Sequence, residues 1–253
     1  MNGTMAVLYR DYRQRMTNIS LVFWDVLAPA AYLIIFGTGF ESMIKIMPVF
    51  GNQSVTYPEF LLPGVLGMVT FGIAVNTSWG FFTDKDSGIV FEMLTYPITR
   101  YQMILGKICF NLLLAAVGSV LVVLLGTIAF HASIRWLGMP LVGLITLVST
   151  AAWFSILTGL AIRSKRMDTY NAIASAMYLL LMFFSSMFYP LNDVPYWFRA
   201  ISYLNPLTWQ IDLLRYAISD IGDGFTATLD GVALCVFTAV CLVFATRSFD
   251  QID

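Results

Sequence analysis

Six stretches of this chain are each long and apolar enough to cross a lipid bilayer, and that limits the folds open to it more than any other feature. A helix covers the hydrocarbon layer with about 20 mostly apolar residues. The runs are Ile19 to Phe40, Phe60 to Phe82, Ile104 to Phe130, Met139 to Ile162, Ala172 to Leu191 and Leu229 to Thr246. Inside a bilayer the backbone must satisfy its own hydrogen bonds, so runs of this length read as helices. Composition agrees: 58% of the 253 residues are hydrophobic and 11% charged, against roughly 25% charged in a soluble domain. The expected class is an all-α integral membrane protein with six transmembrane helices.

Placing the N-terminus inside puts Arg10, Arg13, Arg15, Lys85, Arg100, Lys107, Arg163, Lys165, Arg166 and Arg247 on the cytoplasmic side. Lys45, Arg135, Arg199 and Arg215 are then left outside. This asymmetry follows the positive-inside rule and predicts that both termini are cytoplasmic. The first 18 residues are polar and mixed in charge, and Asp25 interrupts the first run, so that run is expected to be retained and not cleaved as a leader. Within residues 1–18, Met5, Leu8, Tyr9, Tyr12 and Met16 share one helical face, with Arg10, Asp11, Arg13, Gln14 and Arg15 outside it. That pattern predicts an amphipathic helix lying in the inner interface, ahead of a six-span membrane domain over 19–253.

A net charge of -1 offers no surface for a polyanion, so nucleic acid is not an expected partner. Cys109, Cys235 and Cys241 lie inside apolar runs, without the spacing of a disulfide framework or a zinc site, and no metal is expected. Ionisable residues are scarce in the runs: Lys107 sits one turn inside the third, and Asp25 two turns inside the first, where a basic residue or a helix end is its expected partner. An ion-coupled secondary carrier needs more such groups, though Asp25 keeps that alternative open; a non-transporting membrane scaffold is the other. The single histidine, His131, falls in a short outer loop, so no nucleophile and base pair forms at mid-membrane, and enzymatic activity is not expected. Ser219 to Gly224, SDIGDG, reads as an outer turn. No phosphate-binding loop is present, since LGKIC at Leu105 lacks the upstream glycine and the hydroxyl residue. The chain itself is expected to bind no cofactor, so energy for any work must come from a partner.

Two segments break the apolar pattern. Thr83 to Lys107, TDKDSGIVFEMLTYPITRYQMILGK, predicts a short helix from about Ser87 to Leu94, a stop at Tyr96-Pro97, and a new helix capped by Thr99. With Glu92 exposed at the inner face, it has the form of a docking element. On the outer side, Asn192 and Asp193 are expected to end the fifth span, Asp193 capping a short helix through Pro195, Trp197, Ile201 and Leu204. Asn205-Pro206 then starts a second helix with Leu207, Ile211, Leu214 and Ile218 on one face. Each piece is about 10 to 14 residues, too short to cross, so 192–220 is read as a re-entrant hairpin, a plug over an exit route.

These motifs carry a resemblance. An inner amphipathic helix, six spans, GIVFEMLTYPITR followed by LGK after the second span, and FYPLNDVPYW with AISYLNPLT after the fifth together resemble the type-2 ABC exporter permeases over essentially the whole chain. The family includes permeases for lipo-oligosaccharides, O-antigen and teichoic-acid glycans and hydrophobic drugs. The resemblance implies a permease without ATPase motifs that pairs with a second copy of itself or a related permease in the inner membrane, each engaging a separate ATP-binding cassette subunit that holds ATP and magnesium. It implies that the segment 83–103, with Gly88, Glu92, Pro97 and Arg100, couples to that subunit. It places Pro190, Pro195, Trp197, Asn205 and Pro206 in the outer hairpin. It also implies a substrate path along spans two and five, near Asn76, Thr77, Ser78, Tyr178, Ser185 and Ser186. For those six, ordinary helix-to-helix hydrogen bonding is the competing role.

Overall fold

The computed structural model describes residues 3–41, 47–49 and 53–249. In chain order the helices are α1 (Gly3–Thr17), α2 (Ile19–Glu41), α3 (Tyr57–Asp86), α4 (Ile89–Thr95), α5 (Arg100–Phe130), α6 (Met139–Arg163), α7 (Met167–Phe183), α8 (Tyr196–Tyr203), α9 (Pro206–Ser219) and α10 (Gly224–Phe249). Single 3-10 turns occupy Trp136–Gly138 and Leu191–Asp193.

The helix α3 is the centre of the bundle. It packs against α2, α5, α6 and α9, while α10 closes over α6 and α9. Leu61, Val65, Leu66, Phe71 and Phe81 of α3 are completely buried. Small residues let its neighbours approach: an added Cβ at Gly118 or Gly126 of α5 would stand 2.9 Å from Val69 or Leu62. Close backbone approach of this kind holds helices together where the surrounding solvent is itself apolar.

The surface carries the opposite message to a soluble fold. Leu113, Val117, Val120, Leu124 and Ile128 of α5, and Val232, Val236, Val240 and Val243 of α10, are all exposed. Contiguous apolar stripes of that size are a liability in water and ordinary against lipid. Among the described residues five helices are long and apolar enough to cross a membrane: those over Val22–Phe40, Tyr57–Asp86, Arg100–Phe130, Trp136–Arg163 and Gly224–Phe249. The chain is a multi-pass membrane protein.

Three expectations are corrected. The fifth apolar run does not stay helical to Leu191: α7 starts earlier, at Met167, and ends at Phe183 after 17 residues, about 25 Å of helix. Its end is set from outside, because the Asn205 amide donates to the carbonyls of Leu181 and Phe184 at 2.7 and 3.0 Å. The fold is all-α in class, with one short antiparallel ribbon outside the helices, β1 (Met47–Val49) and β2 (Gln53–Val55), in which Pro48 lies opposite Ser54. The N-cap position of α8 is Pro195, two residues after the expected Asp193, which belongs to the preceding 3-10 turn. The short inner helix begins two residues later than Ser87, because Gly88 takes the left-handed cap position. Lys45, assigned to the outer side, lies outside the described residues.

Candidate functional site

At the end of the bundle where α3 gives way to α4 and α5 begins, four charges from three helices meet. Arg10 of α1 donates from both terminal nitrogens to Asp84 of α3, at 2.9 and 2.7 Å. Lys107 of α5 donates to the same carboxylate at 2.9 Å and to Asp11 of α1 at 3.2 Å. Arg10 also reaches Asp11 at 3.0 Å. Two cations balance two carboxylates, which is what allows Asp84 to be only 3% exposed. Hydrogen bonding and attraction from Asp84 hold the Arg10 guanidinium above its ordinary pKa. Sequence reasoning gave these residues no joint role. Lys107 inside an apolar run was the available signal, because such a charge demands a partner.

Helix α1 has two distinct faces. Val7, Asp11 and Arg15 face the bundle and are buried, whereas Met5, Tyr9, Tyr12 and Met16 are exposed. The charged face is the one that docks. It seats against α5 at Gly106, where a Cβ would stand 2.8 Å from the Thr4 carbonyl oxygen and 2.8 Å from the Val7 Cβ. One turn on, Arg15 pairs with Asp25 of α2, and the Asn76 amide donates to the same carboxylate at 2.6 Å. Asp25 thus has the basic partner expected of it. Between α1 and the spanning helices lies a polar cleft of about 130 Å³ lined by Arg15, Asn76, Thr77, Asp84, Lys107 and Phe154, among others.

From this cluster the chain turns sharply into α4. Gly88 sits at φ 77° with open space around it, a conformation that costs a residue with a Cβ about 1–2 kcal/mol. Val90 and Met93 anchor α4 in the bundle, leaving Phe91, Glu92 and Tyr96 exposed, with Tyr101 of α5 beside them in sequence. Pro97 is exposed at the following bend, after which Thr99 caps α5, accepting from the Gln102 N–H at 3.2 Å while its own N–H donates to the Gln102 side chain at 3.1 Å. Arg100 reaches the Phe249 carbonyl oxygen at 3.4 Å, joining the start of α5 to the end of α10.

At the opposite end, Asn205 ties α7 to α9: its oxygen accepts from the Leu207 N–H at 2.9 Å while its amide holds the two α7 carbonyls. Helix α9 is buried against α3 and α6. Gln210 accepts from the Trp153 indole at 2.9 Å and donates to Thr70 at 2.8 Å. Arg215 donates to Asp212 at 2.6 Å and to the Ser186 carbonyl oxygen at 2.8 Å, and lies 4.1 Å from the Phe60 ring centroid. Helix α8, by contrast, lies at the surface, with Tyr196 and Trp197 exposed. Pro190 precedes the 3-10 turn, and Pro206 occupies the first turn of α9. Asp230, an ionisable residue of the sixth run that the sequence reading passed over, lines a cavity of about 300 Å³ here with Asp212, Arg215 and Tyr216.

The six residues assigned to a path are not gathered in one space. Asn76 and Thr77 line the cleft beside α1. Thr77 accepts from the Asn111 amide, while Ser78 is buried 3.1 Å from Thr158 of α6. Tyr178 packs on Phe71, with ring centroids 5.3 Å apart. Ser185 donates to the Met182 carbonyl oxygen at 2.7 Å, and Ser186 to Asp212 at 2.7 Å.

A model of the family described as ABC-2 type transporter matches residues 2–219. The inner membrane transport permease YadH of Escherichia coli (strain K12) is 27% identical over 222 residues, covering 86% of this chain and 83% of its own length. The protein of Cyanophora paradoxa named transport permease ycf38 is 26% identical over 230 residues, covering 86% of this chain and 73% of its own. The multidrug ABC transporter permease YbhR of Escherichia coli (strain K12) is 21% identical over 168 residues, which are 65% of this chain and 45% of the relative.

Proposed function

Because the chain belongs to the ABC-2 type transporter family as a type-2 permease, we propose that it is the membrane subunit of an exporter driven by a separate ATP-binding subunit, acting in the inner membrane with both termini cytoplasmic. A second copy, or a related permease, completes the pathway, which would make six spans of α7 together with the five longer helices. The cargo class that fits is amphipathic: a lipid-linked glycan or a hydrophobic drug. YbhR is named as a multidrug ABC transporter permease. A polar head of either cargo cannot cross about 30 Å of hydrocarbon unaided.

The observation that carries this reading is the charge cluster of Arg10, Asp11, Asp84 and Lys107. It ties α1 to the last turn of α3 and the second turn of α5, the two helices that flank α4. A subunit pressing on the exposed face of α4, through Phe91, Glu92 and Tyr96, would move α1, α3 and α5 as one body. Displacement of α3 would then reach α9 through Gln210 and Thr70. Nucleotide state on the partner biases two access states; this chain performs no bond chemistry.

The test is reconstitution in proteoliposomes with a candidate ATP-binding cassette subunit from the same organism. The reading expects ATP-dependent movement of a fluorescent lipid-linked oligosaccharide or a lipophilic dye, absent with this chain alone. Uphill transport by this chain alone on an ion gradient would replace the reading with an ion-coupled carrier. Partner binding without transport or stimulated ATP hydrolysis would leave a scaffold.

A further inference from the structure

Helix α10 turns one continuous apolar face outward. Phe225, Leu229, Val232, Val236, Val240 and Val243 are exposed, and at about 3.6 residues per turn they fall within roughly 80° of arc. From Phe225 to Val243 the stripe runs about 27 Å, close to the roughly 30 Å of a hydrocarbon core. The next residue on the same arc is Arg247, about 6 Å further along the helix, and it is exposed. Arg247 makes no hydrogen bond or ion pair among the described residues.

Beside it, the last residue of α6 is held in place. Arg163 donates from Nε to the Ser248 hydroxyl at 3.0 Å, and its guanidinium lies over the Phe244 ring, 4.6 Å from the centroid. Its stem is thereby fixed on α10 in the same turn as Arg247. The residue nonetheless stays exposed, and its terminal nitrogens have no hydrogen-bond partner among the described residues. Lys165 is exposed on the turn into α7, where Arg166 pairs at 3.8 Å with Asp168.

We propose that Arg163, Lys165 and Arg247 hold the phosphate of an anionic phospholipid whose acyl chain lies along the α10 stripe. The stripe has the length of one hydrocarbon layer and ends on cations at headgroup depth, which is the outline of such a lipid. A guanidinium fork matches two oxygens of a phosphate, and basic groups at the rim between membrane helices collect anionic headgroups. A zwitterionic lipid brings its own ammonium toward three cations. Charge at a membrane surface needs no fixed geometry, whereas Arg163 is oriented by Ser248 and Phe244. A lipid fits this place better than a protein partner does, because the face that leads to Arg247 is itself lipid-facing. The site contains none of the residues assigned to coupling or to the pathway, and it does not depend on the export reading.

The whole chain in mild detergent, titrated with phosphatidylglycerol or with phosphatidylcholine of the same acyl chains and read by native mass spectrometry, tests this. The anionic lipid should bind at least ten-fold more tightly. Arg163→Gln with Arg247→Gln should weaken it about 30-fold, and Arg247→Gln alone about five-fold. The single variant cannot act through misfolding, since no contact of the described fold rests on that side chain. Ser248→Ala keeps every charge but frees Arg163, and should weaken binding several-fold. The charge-matched pair Arg13→Gln with Arg135→Gln, both away from the site, should leave binding unchanged. Equal binding of the two lipids, equal loss in the charge-matched pair, or unchanged binding in any of the three site variants would show general attraction to net charge and overturn the proposal. Displacement by excess inorganic phosphate would reduce the site to an anion site without a lipid. Lost capture of an ATP-binding subunit with lipid binding intact would assign these cations to that partner instead.

Discussion

Arg10 and Asp84, 74 positions apart in the chain, face each other through two parallel hydrogen bonds of 2.9 and 2.7 Å. The bidentate geometry matches the guanidinium fork to a carboxylate, which lysine cannot reproduce. Because Lys107 shares the same carboxylate, removing Asp84 would strand two cations where one anion, Asp11, remains. Asp84→Asn is expected to destabilise the protein by about 3 kcal/mol, and thermal unfolding in detergent should show Tm lowered by roughly 6–12 °C. Arg10→Lys should lose less. In a double-mutant cycle of Arg10→Ala and Asp84→Ala the effects should fall short of additivity; full additivity would mean the pair is not coupled.

Gly106 makes the same docking depend on shape. A single methyl there would meet the Thr4 carbonyl oxygen and Val7 at 2.8 Å. Gly106→Ala should raise intrinsic helix propensity in α5 yet lift α1 from the bundle. Limited trypsin digestion at the exposed Arg13 reads this out: the variant should be cut several-fold faster, and an unchanged rate would show that α1 is held by charge alone.

Glu92 offers the converse case, a side chain exposed on α4 with no resolved role in the fold. Glu92→Lys should leave Tm within about 0.5 kcal/mol equivalent of the parent. It should sharply weaken the stimulation of ATP hydrolysis in the partner subunit. Undiminished stimulation would remove α4 from the proposed contact.

Asn205 holds three backbone groups at once, one N–H of α9 and two carbonyls of α7. Asn205→Ala loses the cap, worth about 1 kcal/mol, and leaves two carbonyls without their donor. Asn205→Asp keeps the cap and loses only the donors. Hydrogen exchange should therefore show both variants loosening the end of α7, with only alanine also loosening the start of α9.

Gly88 separates conformation from contact, since nothing lies within 4 Å of where its Cβ would be. Gly88→Ala should cost about 1–2 kcal/mol through its positive φ alone, and Gly88→Asn less, because asparagine tolerates the left-handed region. Equal losses in the two variants would point to a contact and not to backbone strain.

The long helices were legible because a bilayer imposes one simple rule, about 20 apolar residues per crossing, and five runs, from Ile19, Phe60, Ile104, Met139 and Leu229, reappear within longer helices. Caps were legible as well, because Thr99 with Gln102 and Asn205 with Pro206 act through neighbours in sequence. The fifth run misled because its last residues remain apolar after the helix has ended. Its end is determined by Asn205, about twenty residues away, whose reach back to Leu181 and Phe184 is invisible to a hydropathy window. The partners of α1 were illegible for a related reason: periodicity separates Asp11 and Arg15 from the apolar face but cannot tell water from opposite charge as what they meet.

Hydropathy, charge asymmetry and short-range capping thus sufficed to establish a multi-pass membrane protein and the approximate extent of most of its helices, since each depends on residues close together in the chain. Which charges neutralise one another, where the short helix α7 stops, and how α9 buries Gln210 and Arg215 among α3 and α6 were decided by packing. Those features depend on the partners that folding brings together across tens of residues, and a buried polar group is tolerable only when such a partner arrives.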